Sequence, residues 1–310
     1  MGKLRLALIA GGKSSEREVS LKSGAQVYQA LDKTKYDIRR YDPLSDLERL
    51  VREAPELEAA LIIMHGRGGE DGTMQGLLDL LGLPYQGSGV LSSAVAMNKE
   101  LSKALYQLAG LQVPRALAFS REKPLSPREI EAKLGLPAVI KPANEGSSIG
   151  ISLARDLKEM ERGLTAAFKL DHRVLVEEFI QGIEVTGAVL GNADAQALPL
   201  VEIIPADTYA FFDYEAKYQP GASTEICPAR LNPELTLTAQ QCALTAHKAL
   251  GCRGYSRTDM LVRDDDLYVL ETNTIPGMTA TSLFPQAARA AGLEFPALLD
   301  KLIELALEKD

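Results

Sequence analysis

The 310-residue chain carries 34 basic and 42 acidic side chains, a net charge of -8, with 46% hydrophobic and 25% charged residues. That is the balance of an ordinary soluble globular protein with material for two or three domains at roughly 100–200 residues each, and it excludes disorder, collagen-like repeats and coiled coils. The acidic surplus argues against a nucleic-acid partner, which needs a basic surface, and no apolar run approaches the ~20 residues of a membrane helix.

In chain order, Leu4–Ala10 reads as a buried strand that runs straight into Gly11-Gly12, where a signal peptide would continue its apolar core. Glu16–Leu31 reads as a helix, and Tyr36–Tyr41 and Ala59–Met64 as strands, the second feeding a glycine-rich loop. Strands alternating with helices predict a parallel sheet covered on both faces, with ligands gathered at the carboxyl ends of the strands. Gly11–Ser20 and His65–Gly76 would then share one rim. A single helix is expected from about Ser92 to Ala109, stopped near Gly110.

From Val113 the pattern predicts strands at Val113–Phe119, Ala138–Lys141, Ile149–Leu153 and Val174–Glu178, with helices over Pro127–Leu134 and Leu157–Phe168. Beyond Gly182 the chain is richer in strands: Glu184–Leu190, Leu198–Ile203, Tyr255–Arg263 and Leu267–Asn273. Between them Ala206–Arg230 is rich in Tyr, Phe and Pro without clean periodicity, and a loop of that length in a compact domain is usually a functional lid. The fold class is α/β in the first part and α+β thereafter, in three modules: 1–95, 96–180 and 181–310. Cys227, Cys242 and Cys252 form neither a C-x-x-C pair nor a zinc spacing, which predicts free thiols in a reduced, cytoplasmic setting.

The segment Tyr255–Asn273 is the most informative. Two strands flank the polar run Arg263–Asp266, a predicted hairpin turn; centring it on Asp265 pairs Asp259 with Glu271 and Arg257 with Asn273. Residues two apart share a strand face, so these four groups gather on one side while Met260, Val262, Tyr268 and Leu270 take the other. Carboxylate and amide oxygens suit magnesium, which completes its octahedron with water and phosphate oxygens. The alternative is a solvated face with cross-strand salt bridges. A second constellation, Lys141-Pro-Ala-Asn-Glu-Gly-Ser-Ser-Ile-Gly150, places a lysine at a strand end before a small-residue loop able to present N–H groups to phosphate. It lacks the Gly-Lys-Ser/Thr of a Walker A loop, and the alternative is a plain hairpin connection. The third, Val174-Leu-Val-Glu-Glu-Phe179 with Glu184 beyond, could line a purine pocket or be a strand end with exposed charges.

These pieces occur in an order that closely resembles the D-alanine–D-alanine ligase family of the ATP-grasp superfamily. The resemblance covers essentially the whole chain. It rests also on Gly11-Gly-Lys-Ser-Ser-Glu-Arg-Glu-Val-Ser20, His65-Gly-Arg-Gly-Gly-Glu-Asp-Gly-Thr-Met-Gln-Gly76, Phe212-Asp-Tyr-Glu-Ala-Lys-Tyr218 and Glu271-Thr-Asn-Thr-Ile-Pro-Gly-Met-Thr279. It implies an N-terminal substrate domain followed by two ATP-grasp domains enclosing the nucleotide. The reaction it implies activates one D-alanine carboxylate with ATP to an acyl phosphate, which the amine of a second D-alanine attacks.

By position, the resemblance makes Asp259, Glu271 and Asn273 ligands of two magnesium ions (manganese may substitute), with Glu271 bridging. Arg257 would stabilise the transferring phosphate, and the N–H of Gly277 the oxyanion. Lys99, Lys141 and Lys217 would hold ATP phosphates, the last from the lid, while Glu177, Phe179, Glu184 and Leu261 would face adenine and ribose. Glu16 would pair with the first alanine's ammonium, Ser147 and Tyr218 completing a hydrogen-bond chain with it, and His65 would sit by that alanine's carboxylate. Ser282 and Leu283 would take the second alanine's carboxylate at a helix N-terminus. Without the resemblance, Glu16 reads as a helix-start carboxylate and His65 as a structural histidine. His172, His247 and the cysteines carry no expected role. A homodimer, with no nucleic-acid or membrane partner, is expected. The runner-up is a ligase joining D-alanine to D-lactate or D-serine, against which the resemblance of Tyr218 to dipeptide-forming enzymes speaks, and the intact metal face argues against a nucleotide-binding protein without catalysis.

Overall fold

The computed structural model describes residues 2–144, 150–206 and 222–308. Strand β1 (Leu4–Ile9) leads into α1 (Arg17–Ala30), β2 (Tyr36–Tyr41), α2 (Leu47–Glu53), β3 (Ala59–Ile62) and α3 (Thr73–Leu80). The three strands form a parallel sheet in the order β2-β1-β3. All four residues of β3 and the last four of β1 are buried, the near-continuous apolar run of strands covered on both faces. Ala7, Ile9 and Ile62 point into a cluster with Tyr41, Leu50 and Leu78. Leu6, Leu8 and Leu61 point the other way.

The layer that covers this second face comes from the far end of the chain. Phe284 of α9 (Leu283–Ala290) and Leu298 and Leu302 of α10 (Phe295–Leu307) pack there beside Val27 of α1. The first sheet is thus completed by the last helices, at roughly 1.5–3 kcal/mol for each large apolar side chain fully buried. Among the described residues no helix is long and apolar enough to cross a membrane.

Between these ends come α4 (Val90–Met97), α5 (Lys99–Leu108), β4 (Ala116–Ser120), α6 (Pro127–Leu134), β5 (Ala138–Pro142), β6 (Ser152–Ala154), α7 (Leu157–Leu170) and β7 (Arg173–Glu178). The expected single helix over Ser92–Ala109 is two. Asn98 adopts φ -90, ψ 99 and its side chain accepts the Leu101 N–H, so capping chemistry overrides apolar periodicity. Strand β4 begins only at Ala116, beyond Pro114, which cannot donate to a ladder. Strands β4-β7-β5-β6 form an antiparallel sheet whose one face packs Ile140, Val174 and Val176 against Ile130 of α6 and Met160 and Leu164 of α7.

The remaining elements are β8 (Ile183–Gly191), β9 (Gln196–Ala197), β10 (Val201–Pro205), β11 (Ser223–Ile226), α8 (Pro233–Ala249), β12 (Gly254–Arg263) and β13 (Asp266–Asn273). They build the antiparallel sheet β11-β10-β8-β12-β13, with β9 beside β8. Pro199 separates β9 from β10, and the strand expected at Leu198–Ile203 begins only at Val201 and runs to Pro205. Helix α8 lies close on this sheet because β8 offers Gly187: a Cβ there would meet that of Ala243 at 2.6 Å. Within the expected lid, Ser223–Ile226 is a strand and 207–221 lie outside the described residues.

The β12–β13 hairpin corrects one sequence reading. Its turn residues Asp264 and Asp265 have φ of 51° and 68°, the left-handed pair of a two-residue I′ turn closed by Arg263 and Asp266. Farther along, the register shifts at Asp259/Met260, leaving Leu270 as an extra residue. Arg257 still faces Asn273 and Asp259 faces Glu271, as expected. The bulge changes the parity between bulge and turn, so Leu267 and Val269 join Met260 and Val262 in the core, and Leu270 lines the cavity instead.

Candidate active site

The rim of the first sheet is assembled by short polar side chains. Ser20 receives the Gly11 N–H at 2.7 Å and donates to the Ile63 carbonyl at 2.5 Å, joining the loop after β1 to the end of β3. Ser14 donates to the His65 carbonyl at 2.7 Å. Glu16, at the start of α1, is only 2% exposed, and its side chain makes no hydrogen bond capping that helix. A carboxylate at that position is favoured by the macrodipole of α1, which needs no such bond.

His65 is buried, and its Nε2 has no hydrogen-bond partner among the described residues. Burial foremost, then the nearby Arg257 guanidinium, pulls its imidazole down to about 4. The ring is neutral at physiological pH, so its NMR resonances should not move between about pH 6 and about pH 8, where an unperturbed histidine titrates. A titration centred near 6.5 would contradict this environment.

The hairpin brings its four polar groups together. Arg257 grips Asp259 as a fork, Nε and Nη2 each 2.8 Å from a carboxylate oxygen. Thr186 on β8 donates to Asp259 Oδ1 at 2.8 Å, and the Asn273 amide reaches Oδ2 at 3.3 Å. Opposite them, Lys99 at the start of α5 lies 3.5 Å from Glu271. Behind the hairpin, Tyr106 of α5 donates to Thr272, which in turn shares a hydrogen bond with Thr258, so the helix bearing Lys99 and the strand bearing Glu271 are tied together.

Two carboxylates and an amide are a hard oxygen set suited to magnesium or manganese. Among the described residues no three His, Cys, Asp or Glu side chains are placed to hold a metal ion by themselves, so water and phosphate oxygens would complete such a coordination sphere. Each acid already carries a cation, Arg257 on Asp259 and Lys99 on Glu271, which marks a place where positive charge is held.

A cavity of about 760 Å³ opens between the two antiparallel sheets, lined by Asp259, Leu261, Leu270 and Glu271 on one side and by Val139, Lys141, Leu153 and Glu177 on the other. Phe179, Ile180 and Glu184 close one end. Glu177 sits between two ammoniums, Lys103 at 2.6 Å and Lys141 at 2.7 Å. Burial works against its charge, but the two lysines outweigh it and hold the carboxyl below its usual range. For Lys141 burial is likewise outweighed by Glu177, and the ammonium is favoured; for Lys103 burial wins and its proton affinity falls.

Beyond β13, the loop at Gly277 approaches the start of α9: a Cβ on Gly277 would lie 3.1 Å from the Ser282 hydroxyl. Ser282 turns that hydroxyl toward Thr279, 2.7 Å from its side-chain oxygen, and makes no side-chain cap on α9. Leu283 opens the helix with its side chain in the core. Glu225 of β11 bonds Gln286 of α9 and lies in the field of Arg257, so α9 and the hairpin border one region.

Of the expected site residues, Lys141, Glu177, Phe179, Glu184, Asp259, Leu261 and Glu271 line the cavity. Arg257, Asn273 and Lys99 reach it through their bonds to Asp259 and Glu271. Glu16 and His65 form the rim, and Gly277, Ser282 and Leu283 the helix start. Ser147, Lys217 and Tyr218 lie outside the described residues. Sequence reasoning missed Lys103, although Lys99, Lys103 and Tyr106 at spacings of four and three mark the buried face of α5. It also left Glu70, inside a quoted motif, without a role.

A family model of the D-ala D-ala ligase N-terminus matches residues 5–46 and 42–88, and one of the D-ala D-ala ligase C-terminus matches residues 105–304. A D-alanine–D-alanine ligase of Syntrophobacter fumaroxidans is 60% identical over 306 residues, 99% of this chain and 98% of the relative; one of Desulfotalea psychrophila is 56% identical over 309 residues, 99% and 96%. The crystal structure of the Bacillus anthracis D-alanine–D-alanine ligase complexed with ATP superposes with a TM-score of 0.86 at 36% identity, covering 98% of this chain and 97% of that one. The VanG D-Ala:D-Ser ligase of Enterococcus faecalis does so at 0.85 and 34%, covering 99% and 100%. With both family models matched, relatives alike along nearly its whole length and the ATP-grasp architecture in common, the chain belongs to the D-alanine–D-alanine ligase family.

Proposed function

We propose that this protein is an ATP-dependent ligase that joins two D-alanines into D-alanyl-D-alanine, for peptidoglycan precursor synthesis, through an acyl phosphate. The observation that carries this reading is the hairpin: it brings Asp259 and Glu271 to the cavity lined by Lys141, Glu177 and Glu184, with Arg257 bonded to Asp259.

On this reading adenine and ribose lie by Phe179, Leu261, Glu177 and Glu184, and the phosphates run toward Lys99 and Lys141. Asp259, Glu271 and Asn273 would hold two magnesium ions, or manganese in their place, and these would neutralise phosphate charge. Arg257, released from Asp259, follows the transferring phosphoryl group. Glu16 holds the first alanine's ammonium, with His65 by its carboxylate. A carboxylate oxygen of that alanine attacks the γ-phosphorus and ADP leaves. Ser282 and the N–H of Leu283 fix the second alanine's carboxylate, and its amine, after losing a proton, attacks the acyl carbonyl; phosphate leaves. The Gly277 N–H and Arg257 steady the oxyanion between those events. Ser147 and Tyr218 continuing the chain from Glu16, and Lys217 on the γ-phosphate, belong to the same proposal. So do the module limits 1–95, 96–180 and 181–310, the lid over 206–230, a cytoplasmic setting and a homodimer.

Phosphate release from ATP, measured with D- and L-amino acids and with product identification, tests the reading. D-alanine should drive release and yield the dipeptide, whereas L-alanine should not. ATP binding without D-alanine-dependent release would favour a nucleotide-binding protein. Preferential joining to D-lactate near neutral pH, or to D-serine, would reassign the second substrate.

A further inference from the structure

Helix α5 turns two lysines, one turn apart, toward acids on different sheets. Lys99 lies 3.5 Å from Glu271 of β13, and Lys103 lies 2.6 Å from Oε1 of Glu177 on β7. The other oxygen of Glu177 is 2.7 Å from Lys141 of β5, so one carboxylate is shared by two ammoniums, one on each oxygen. The described residues lining the cavity include Glu177 and Lys141 but not Lys103, which stands behind them at 4% exposure.

A buried carboxylate needs one cation. Burying a second ammonium costs desolvation that the same acid offsets only in part, and an apolar side chain in place of Lys103 would serve packing better. Glu271 of β13 favours charge on both lysines and Glu184 of β8 on Lys141, while Lys141 opposes the charge on Lys103. The second ammonium finds its use in what Lys141 has to do. When Lys141 turns to a phosphate oxygen it leaves Glu177, and a buried carboxylate left alone would hold it back. With Lys103 on Oε1, Glu177 stays paired. Lys103 reaches the acid from α5 and not from the cavity wall, so phosphate does not compete for it.

We propose that Lys103 is a positioning residue for ATP binding: as the standing counter-ion of Glu177, it lets Lys141 leave that carboxylate for the phosphates. The proposal rests on the ligase reading, which runs the phosphates toward Lys141, and deepens it. Glu177 stays ionised throughout, so nucleotide binding puts no proton on it.

The test is a double-mutant cycle on the full chain, read as the ratio of affinities for a non-hydrolysable ATP analogue and for adenosine, which keeps base and ribose but has no phosphate. Lys103→Met should weaken the analogue on the order of 10–100-fold, the worth of one hydrogen bond to a charged group, and leave adenosine within about twofold. In the Glu177→Gln background no anion is stranded, and the same substitution should leave the ratio within about twofold. Equal losses for both ligands would mean a merely structural role, and an equal fall of the ratio in both backgrounds would mean that Lys103 acts on phosphate directly. Either result, or an unchanged affinity for the analogue, overturns the proposal. A wild-type measurement decides the matter if Lys103→Met does not fold: the NMR resonance of the Glu177 carboxyl carbon should keep its ionised position between about pH 6 and about pH 8 with and without the analogue. Protonation of Glu177 on nucleotide binding would overturn the proposal as well. D-alanine-dependent phosphate release from ATP by wild type is measured alongside. If release is present and the cycle contradicts expectation, only the Lys103 assignment fails; if release is absent, the ligase reading fails whatever the cycle shows.

Discussion

Glu271→Gln lowers kcat/KM by about 10²–10³-fold, the cost of removing one preorganised electrostatic partner from a site of charge development. Glutamine keeps the size and shape of the side chain and removes only its charge, opposite Asp259 in the hairpin and 3.5 Å from Lys99. Folding should barely register the change. The Glu271 side chain is 19% exposed, and such partly exposed ion pairs are worth about 0–1 kcal/mol, or roughly 2–4 °C in Tm at most. Steady-state kinetics at several magnesium concentrations beside a thermal melt separate the two effects. Near-normal turnover at ordinary magnesium would remove Glu271 from the ligand set.

Glu177→Gln should behave in the opposite way, with a stability loss of about 3–5 kcal/mol and weaker ATP binding. Glu177, Lys103 and Lys141 are all at least nine-tenths buried, and removing the acid leaves two ammoniums facing a neutral amide. Adding Lys103→Met should restore part of the loss, because the double variant buries one charge fewer. Denaturant unfolding of the four proteins checks this; additive effects would mean that the two side chains do not interact.

The same pair has a pH signature. The Glu177 carboxyl is held below its unfolded value of 4.5, so the unfolded chain binds a proton first as the solution is acidified. Its contribution is complete above that value and is lost as pH falls through the lower folded value. The wild-type acid limb should therefore contain a component that Glu177→Gln lacks.

Elements governed by neighbours in sequence were legible. The hairpin within Tyr255–Asn273, the face shared by Arg257 and Asp259, and the Pro127–Leu134 helix follow from alternation, capping and turn chemistry. Errors arose where one local signal opposed another or where a defect changed parity. Asn98 outweighed the apolar pattern around it, and the extra residue at Leu270 moved that side chain from the core to the cavity. Part of the candidate site was legible only through motif resemblance: nothing in the chemistry of Glu16, His65 or Ser282 taken singly separates a ligand contact from a structural residue.

The sequence by itself determined the alternation of strands and helices, the hairpin with its two acids, amide and guanidinium, and the family. These depend on backbone periodicity and on residue types at fixed spacing. Tertiary structure alone decided that α9 and α10 complete the core of the first sheet, that Lys103 and Lys141 meet at Glu177, and that Glu16 and Glu70 flank Gly66. The reason is that desolvation and charge pairing depend on distance and burial in space, and groups far apart along a chain acquire those only when separate elements pack.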